Sequence, residues 1–222
     1  SEVLTRLERS LDASLERMGL EFVDLFVLHG YIVPKQEAGS EDRTPRSLFG
    51  GAVRPAFERL VAQGRIGAWA ITGVAAPSAI LETLAEDPPP GAVQAITNLL
   101  DSPGDMTVND EQPRPREIIA LAASRDIGVM GIRAVQAGAF TDRIDRELPD
   151  DDATMVDFRR AAPFRSVAGE LGESPASLAH RYALSMAGVD TVVLGVKNRA
   201  ELRECLAAEA KGPLGAEVVG RI

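Results

Sequence analysis

A parallel α/β architecture follows from three features of this 222-residue sequence. Short apolar runs alternate with helical stretches, strand then helix, five times over. Nearly all the runs are apolar throughout, as expected of strands covered on both faces. Together these imply parallel strands joined by right-handed crossovers. The third feature is an absence: no GxGxxG turn follows the first strand, as an open dinucleotide-binding sheet would require. That leaves the closed (β/α)8 ring, the TIM-barrel type. Such a ring takes about 250 residues and eight strands. The expectation is therefore an incomplete barrel of about five βα units, one domain over residues 1–222 that resembles the last five-eighths of the ring.

The elements come in order. Leu4, Leu7, Leu11, Leu15 and Met18 fall at three- and four-residue steps and mark one helix face. Gly19 stands where a helix end takes a left-handed residue. "LEFVDLFVLHG" (20–30) then reads as a strand buried on both faces. The stretch from Gly30 to Ser47 is polar and broken by Gly and Pro, which predicts a loop outside the core. Val53, Phe57, Leu60 and Val61 share a face of the next helix, with Pro55 tolerated in its first turn. "IGAWAIT" (66–72) is the second strand, "PSAILETLAE" a helix, and "AVQAIT" (92–97) the third strand. "RPREIIALAASRD" is helical, and "IGVMGIR" (127–133) the fourth strand. An acidic loop containing "DDD" reads as solvated, because like charges repel and seek water. A helix from about Met155 to Leu171 follows, then one opened by Ser174 and Pro175. "DTVVLGV" (190–196) is the fifth strand, and "NRAELRECLAAEA" the last helix.

Composition narrows the function. The chain is 45% hydrophobic and 26% charged, with a net charge of -9, as in globular proteins. The acidic balance argues against nucleic-acid partners and anionic membranes. Cys205 is the single cysteine, which excludes an internal disulfide and a cysteine-based zinc site. With two histidines, a dedicated transition-metal site is not expected. No apolar run approaches the roughly 20 residues of a membrane span, and the start lacks a signal-peptide core. The expected compartment is the cytoplasm.

His29 ends the first strand at its C-terminal end, where parallel α/β folds bind ligands. "LERSLDASLERMGLEFVDLFVLH", "GRIGAWAITG", "VQAITN", "AGAFT" and "VVLGVKNRAELREC" together resemble the aldo-keto reductases. The likeness runs from that family's third helix to the end of its barrel. It implies a nicotinamide-dependent reductase acting on a small-molecule carbonyl substrate, usually with NADPH. In that family a hydride passes to the carbonyl carbon while a tyrosine donates the proton, tuned by a lysine and an aspartate. A histidine hydrogen-bonds the substrate oxygen, and donors aimed there stabilise the developing alkoxide. His29 matches that histidine. The Asp, Tyr and Lys have no match and are expected on elements upstream of this chain, which alone would be inactive. Tyr31 and Tyr182 stand outside the family's tyrosine context. Asp24 matches a structural strand aspartate, and His180 reads as a helix-surface or packing residue.

The resemblance also assigns cofactor positions. Thr72 keeps a hydroxyl at a strand end, while Gly73 replaces the asparagine that would hold the carboxamide. Gln94 matches the glutamine that bonds the same amide. Within "IRAVQAG" the cofactor positions are Arg133, Val135 and Gly138. Ile132 stands where many members stack an aromatic ring, and Arg133 could contact phosphate. Gly195, Val196 and Lys197 match the loop that leads into the adenosine-phosphate helix, whose N-terminus favours an anion. Lys197 favours NADP over NAD. Glu201, unfavourable near phosphate, is expected on ribose or adenine. A second reading is a non-catalytic, nucleotide-binding or regulatory relative, supported by the departures at Gly73, Ile132 and Cys205. A phosphate-binding isomerase or aldolase would need a lysine or paired carboxylates at strand ends, and none is found.

Overall fold

A computed structural model describes residues 2–35, 42–107 and 110–222. Helix α1 (Glu2–Met18) buries Leu4, Leu11 and Leu15. Gly19, at φ +65, ends it, and the Leu20 N–H reaches back to the Leu15 carbonyl at 3.0 Å. Strand β1 (Val23–Leu28) follows, then β2 (Tyr31–Val33) and β3 (Arg43–Pro45). Next come α2 (Arg46–Leu48), a wide π turn over Phe49–Val53, and α3 (Arg54–Ala62). Strand β4 (Ile66–Thr72), α4 (Pro77–Ala85), β5 (Ala92–Ile96), α5 (Pro115–Ser124) and β6 (Gly128–Ile132) continue the alternation. Helices α6 (Ala153–Arg160), α7 (Ala162–Glu170) and α8 (Pro175–Ser185) precede β7 (Thr191–Val192), α9 (Arg199–Ala210) and α10 (Ala216–Val219).

The main sheet has five strands in the order β1-β4-β5-β6-β7, every pair parallel. It does not close: β1 and β7 are its edges. Ile71, Val93 and Val129 are aligned neighbours and fully buried against the helices, with Phe26 and Leu28 packed on the same side. Phe57 stacks on Trp69 at 5.8 Å and meets Phe26 edge-on at 5.7 Å, which ties α3 to the sheet. Gly67 permits the close approach of β1 and β4, since a Cβ there would lie 2.7 Å from the Asp24 carbonyl oxygen. A second cluster, with Phe140 and Phe164 edge-on at 5.0 Å, supports the segments after β6.

Four expectations need correction. Strand β1 is an edge strand whose residues are half-buried or exposed, with Phe22 just before it also exposed. An apolar run records what a strand can bury, not which neighbours it has. The segment after Gly30 is not wholly outside the core: β2 and β3 pair, and Ile32 and Val33 are buried. The short apolar triplet was masked by polar neighbours, of which residues 36–41 lie outside the described residues. The helix over 155–171 is two helices broken at Ala161, because Pro163 has no N–H to donate and crowds the preceding turn. Finally, the last strand is registered only at Thr191 and Val192, with the Val193 N–H donating to the Gly131 carbonyl at 2.8 Å before the chain leaves the sheet, and residues 193–200 are exposed.

Candidate active site

All five strands run the same way, so their C-terminal ends form one rim. Thr72, Gln94, Met130 and Thr191 are aligned across β4, β5, β6 and β7 and share the face opposite the helices. Leu28 pairs with Ile71, so His29 follows the end of β1 at the level of Thr72, whose hydroxyl lies against the Leu28 carbonyl. The row is tied together. The buried Thr72 hydroxyl lies 3.2 Å from the Leu28 carbonyl and 3.2 Å from Gln94 Oε1, able to donate to either. That leaves the Gln94 amide nitrogen as a donor with no partner among the described residues. His29 is exposed and forms no hydrogen bond with any described residue, leaving its imidazole available to a ligand.

Gly73 lies behind this row. Its N–H donates to the Gln94 carbonyl at 2.7 Å, and a Cβ would meet Val93 Cγ2 at 2.6 Å and that carbonyl at 2.7 Å. A side chain there would force the Val93 methyl and the Gln94 backbone to shift. Arg133 is also occupied: its guanidinium pairs with Asp105, donates to the Pro103 carbonyl at 3.3 Å and lies 3.0 Å from Met106 Sδ. Tyr182 is buried on α8 and accepts from Arg116 at 2.9 Å, while Tyr31 opens β2. Neither tyrosine belongs to the rim row.

A cleft of about 820 Å³ lies beyond β6 and β7. Val135, Gly138, Gly195, Val196, Lys197 and Glu201 all line it, so the structure brings these predicted positions together. One wall is the loop after β6, where Gln136, Ala137 and Gly138 take φ values of +44, +51 and +100. Such left-handed runs are strained in non-glycine residues and persist where surroundings hold them. Here the holder is buried Asp157, which accepts from Gln136 Nε2 at 3.0 Å and from the Ser102 hydroxyl at 2.5 Å.

The opposite wall is the start of α9. Asn198 caps it, accepting from the backbone N–H of Ala200 and Glu201 at 2.9 and 3.0 Å. Glu201 reaches back to the Lys197 N–H at 2.8 Å and the Asn198 amide at 3.0 Å. This is a variant of the capping box in which Glu201 reaches the residue before the cap and the cap's own side chain, so both its oxygens already accept a hydrogen bond within the protein. The signal was present in the sequence as Asn-Arg-Ala-Glu. Lys197 is paired with Asp145 of the loop 141–152, and Arg146 of that loop donates to the Ala137 carbonyl at 3.0 Å. The DDD run of this loop is largely exposed, as expected, while Thr141, Asp142, Arg143, Asp145 and Arg146 before it line the cleft.

His180 and Cys205 complete the floor. His180 is not a surface residue: it is 7% exposed, and its Nδ1 is buried without a hydrogen-bond partner among the described residues. Burial lowers its pKa from the usual histidine value, against an opposing pull from Glu204. Burial and the carboxylates of Glu204 and Glu201 raise that of the Cys205 thiol, so it is no activated nucleophile. Among the described residues no cluster of three or more His, Cys, Asp or Glu could hold a metal. No helix of the described residues is long and apolar enough to cross a membrane.

The sequence pattern of the Aldo/keto reductase family matches residues 5–222. The chain belongs to that family. This aldo-keto reductase chain is 24% identical over 204 residues to L-galactose dehydrogenase of Arabidopsis thaliana, covering 91% of the chain and 57% of the plant protein. Its fold is similar to that of an aldo-keto reductase from Bacillus halodurans solved in its holo form, with a TM-score of 0.67 at 20% identity. That match covers 98% of this chain and 66% of the bacterial one. The aldo-keto reductase chain therefore spans less than two thirds of the length of either relative.

Proposed function

We propose that this chain carries the cofactor cleft and one catalytic residue of an NADPH-dependent oxidoreductase that reduces aldehydes or ketones to alcohols. The observation that carries the reading is the gathering of Val135, Gly138, Gly195, Val196, Lys197 and Glu201 in one cleft beside the rim of a parallel sheet. The residues fit a dinucleotide. The volume is ample and His180 offers an unpaired polar ring. Arg143, Lys197 and Arg146 are the cations of a lining that also holds Asp142, Asp145, Glu201 and Glu204, so phosphate takes Lys197 and Arg146 in exchange for their pairing with Asp145. When bound, the reduced nicotinamide supplies the hydride. The chain's own residues orient and polarise. Gln94, braced by Thr72, offers an amide donor to the carboxamide, and His29 donates to the carbonyl oxygen as negative charge grows there.

Fluorescence titration of the chain with NADPH and NADH tests this. NADPH binds the more tightly, and Lys197→Ala narrows the gap by about fivefold, the loss of one exposed charge contact. Binding of neither nucleotide overturns the reading. A second reading is a nucleotide-binding relative without turnover, favoured by the filled space at Gly73 and the engaged Arg133. An upstream segment that carries the aspartate, tyrosine and lysine separates the two: with it present, NADPH oxidation by aldehydes or ketones that His29→Ala abolishes favours the enzyme, and binding without turnover favours the alternative.

A further inference from the structure

His180 stands on α8 one turn after Ala176, so both belong to the same helix face, and both line the cleft. Its Nδ1 is buried and unpaired among the described residues, an arrangement that folded proteins rarely keep. A stranded N–H donor is rarer in folded proteins than a stranded acceptor. The neutral ring therefore keeps its proton on Nε2. No described residue accepts from that nitrogen either, which leaves a donor on the part of the ring that forms the cleft wall. A histidine with neither nitrogen bonded by the protein is one built for something outside it.

The position along α9 says which part of a ligand meets it. Phosphate binds where the cations and the helix start are, at Lys197 and Asn198. Glu204 and Cys205, which line the cleft with His180, lie six and seven residues further on, about 9–10 Å at the helical rise. A phosphate placed there would face the Glu204 carboxylate with no cation beside it in the cleft lining. A neutral flat ring bearing acceptor nitrogens suits Ala176, Cys205 and a single N–H donor.

We propose that His180 is a base-contacting residue, its Nε2–H donating to a ring nitrogen of the purine of the bound nucleotide. This rests on the nucleotide reading of the cleft and adds to it a residue that the family resemblance does not assign. Because the chain has two histidines, ¹⁵N-histidine labelling gives two ring systems, and His29→Ala, at an exposed position, assigns them. The probes are adenosine 2′,5′-bisphosphate and, lacking the base, ribose 5-phosphate. The bisphosphate shifts the His180 ring nitrogens and ribose 5-phosphate does not. His180→Leu weakens the bisphosphate about three- to tenfold, the worth of one neutral hydrogen bond, and leaves ribose 5-phosphate unchanged. The unliganded variant melts no lower than the wild type, since it removes an unpaired buried nitrogen. Equal affinity in the variant, or equal ring shifts with the base-free probe, overturns the proposal while the nucleotide reading stands. Failure of NADPH and both probes to bind overturns the nucleotide reading and this proposal with it. Should the leucine variant not fold, the ring shifts of the wild-type chain decide.

Discussion

The row of His29, Thr72 and Gln94 is set by backbone pairing, whereas the cleft between the loop after β6 and α9 is set by side chains. In the row, strand register alone brings three residues separated by up to 65 positions into line, and one bifurcated hydroxyl braces them. In the cleft, Asp157 holds a strained loop, Asn198 and Glu201 cap a helix, and an ion pair from Lys197 to Asp145 bridges the walls. Backbone ladders in a sheet tolerate surface substitution. A side-chain scaffold with buried polar members fails when one member is removed. The two regions should therefore respond differently to mutation.

The largest contrast concerns His29. It is exposed and bonds no described residue, so His29→Ala leaves stability within about 0.5 kcal/mol. Where turnover is measurable, the same change lowers kcat about a hundredfold or more, as the loss of one donor to a developing oxyanion does. Equal kcat in the variant would remove His29 from the chemistry. Gly73→Asn attacks the other side of the row. Its Cβ meets a backbone carbonyl and Val93 at distances real contacts do not show, which costs about 2–3 kcal/mol in a urea melt. A neutral result would mean that the rim can yield and that the cited departure is not enforced by packing.

Asp157→Ala is the corresponding attack on the cleft. It leaves Gln136 Nε2 and the Ser102 hydroxyl without their shared acceptor, at about 1–3 kcal/mol. Hydrogen exchange should rise over residues 133–140 and stay unchanged over β4 and β5. Uniform loss of protection across the sheet would erase the distinction between the two regions.

This difference also explains what could be read from sequence. Strand order, the parallel sense and the rim position of His29 follow from apolar runs and alternation, signals that are local and repeated. The extent of β7 was not legible, because pairing depends on a neighbour that no local run encodes; neither was the edge status of β1. The core role of Ile32 was hidden in a polar stretch. In the cleft, the Asn198–Glu201 cap was written plainly in local spacing. The role of His180 was not, since its meaning lies in what α9 places opposite it. Asp157, within a helix of mixed charge, gave no signal of burial.

The smallest effect is one of pH, and it isolates the cleft floor. Burial, only partly offset by Glu204, holds the folded-state pKa of His180 below the ordinary value near 6.5. Between the two values the unfolded chain binds a proton that the folded chain refuses, so stability rises with pH through that window and falls as acid is added. The contribution is complete above the unfolded value and shrinks below it, by at most about 1.4 kcal/mol per pH unit. Urea melts at pH 7.5, 6.5 and 5.5 should show the wild type losing more stability on acidification than His180→Leu. A parallel loss in the leucine variant would mean that the ring gains its proton while folded and that the cleft floor is wetter than its burial implies.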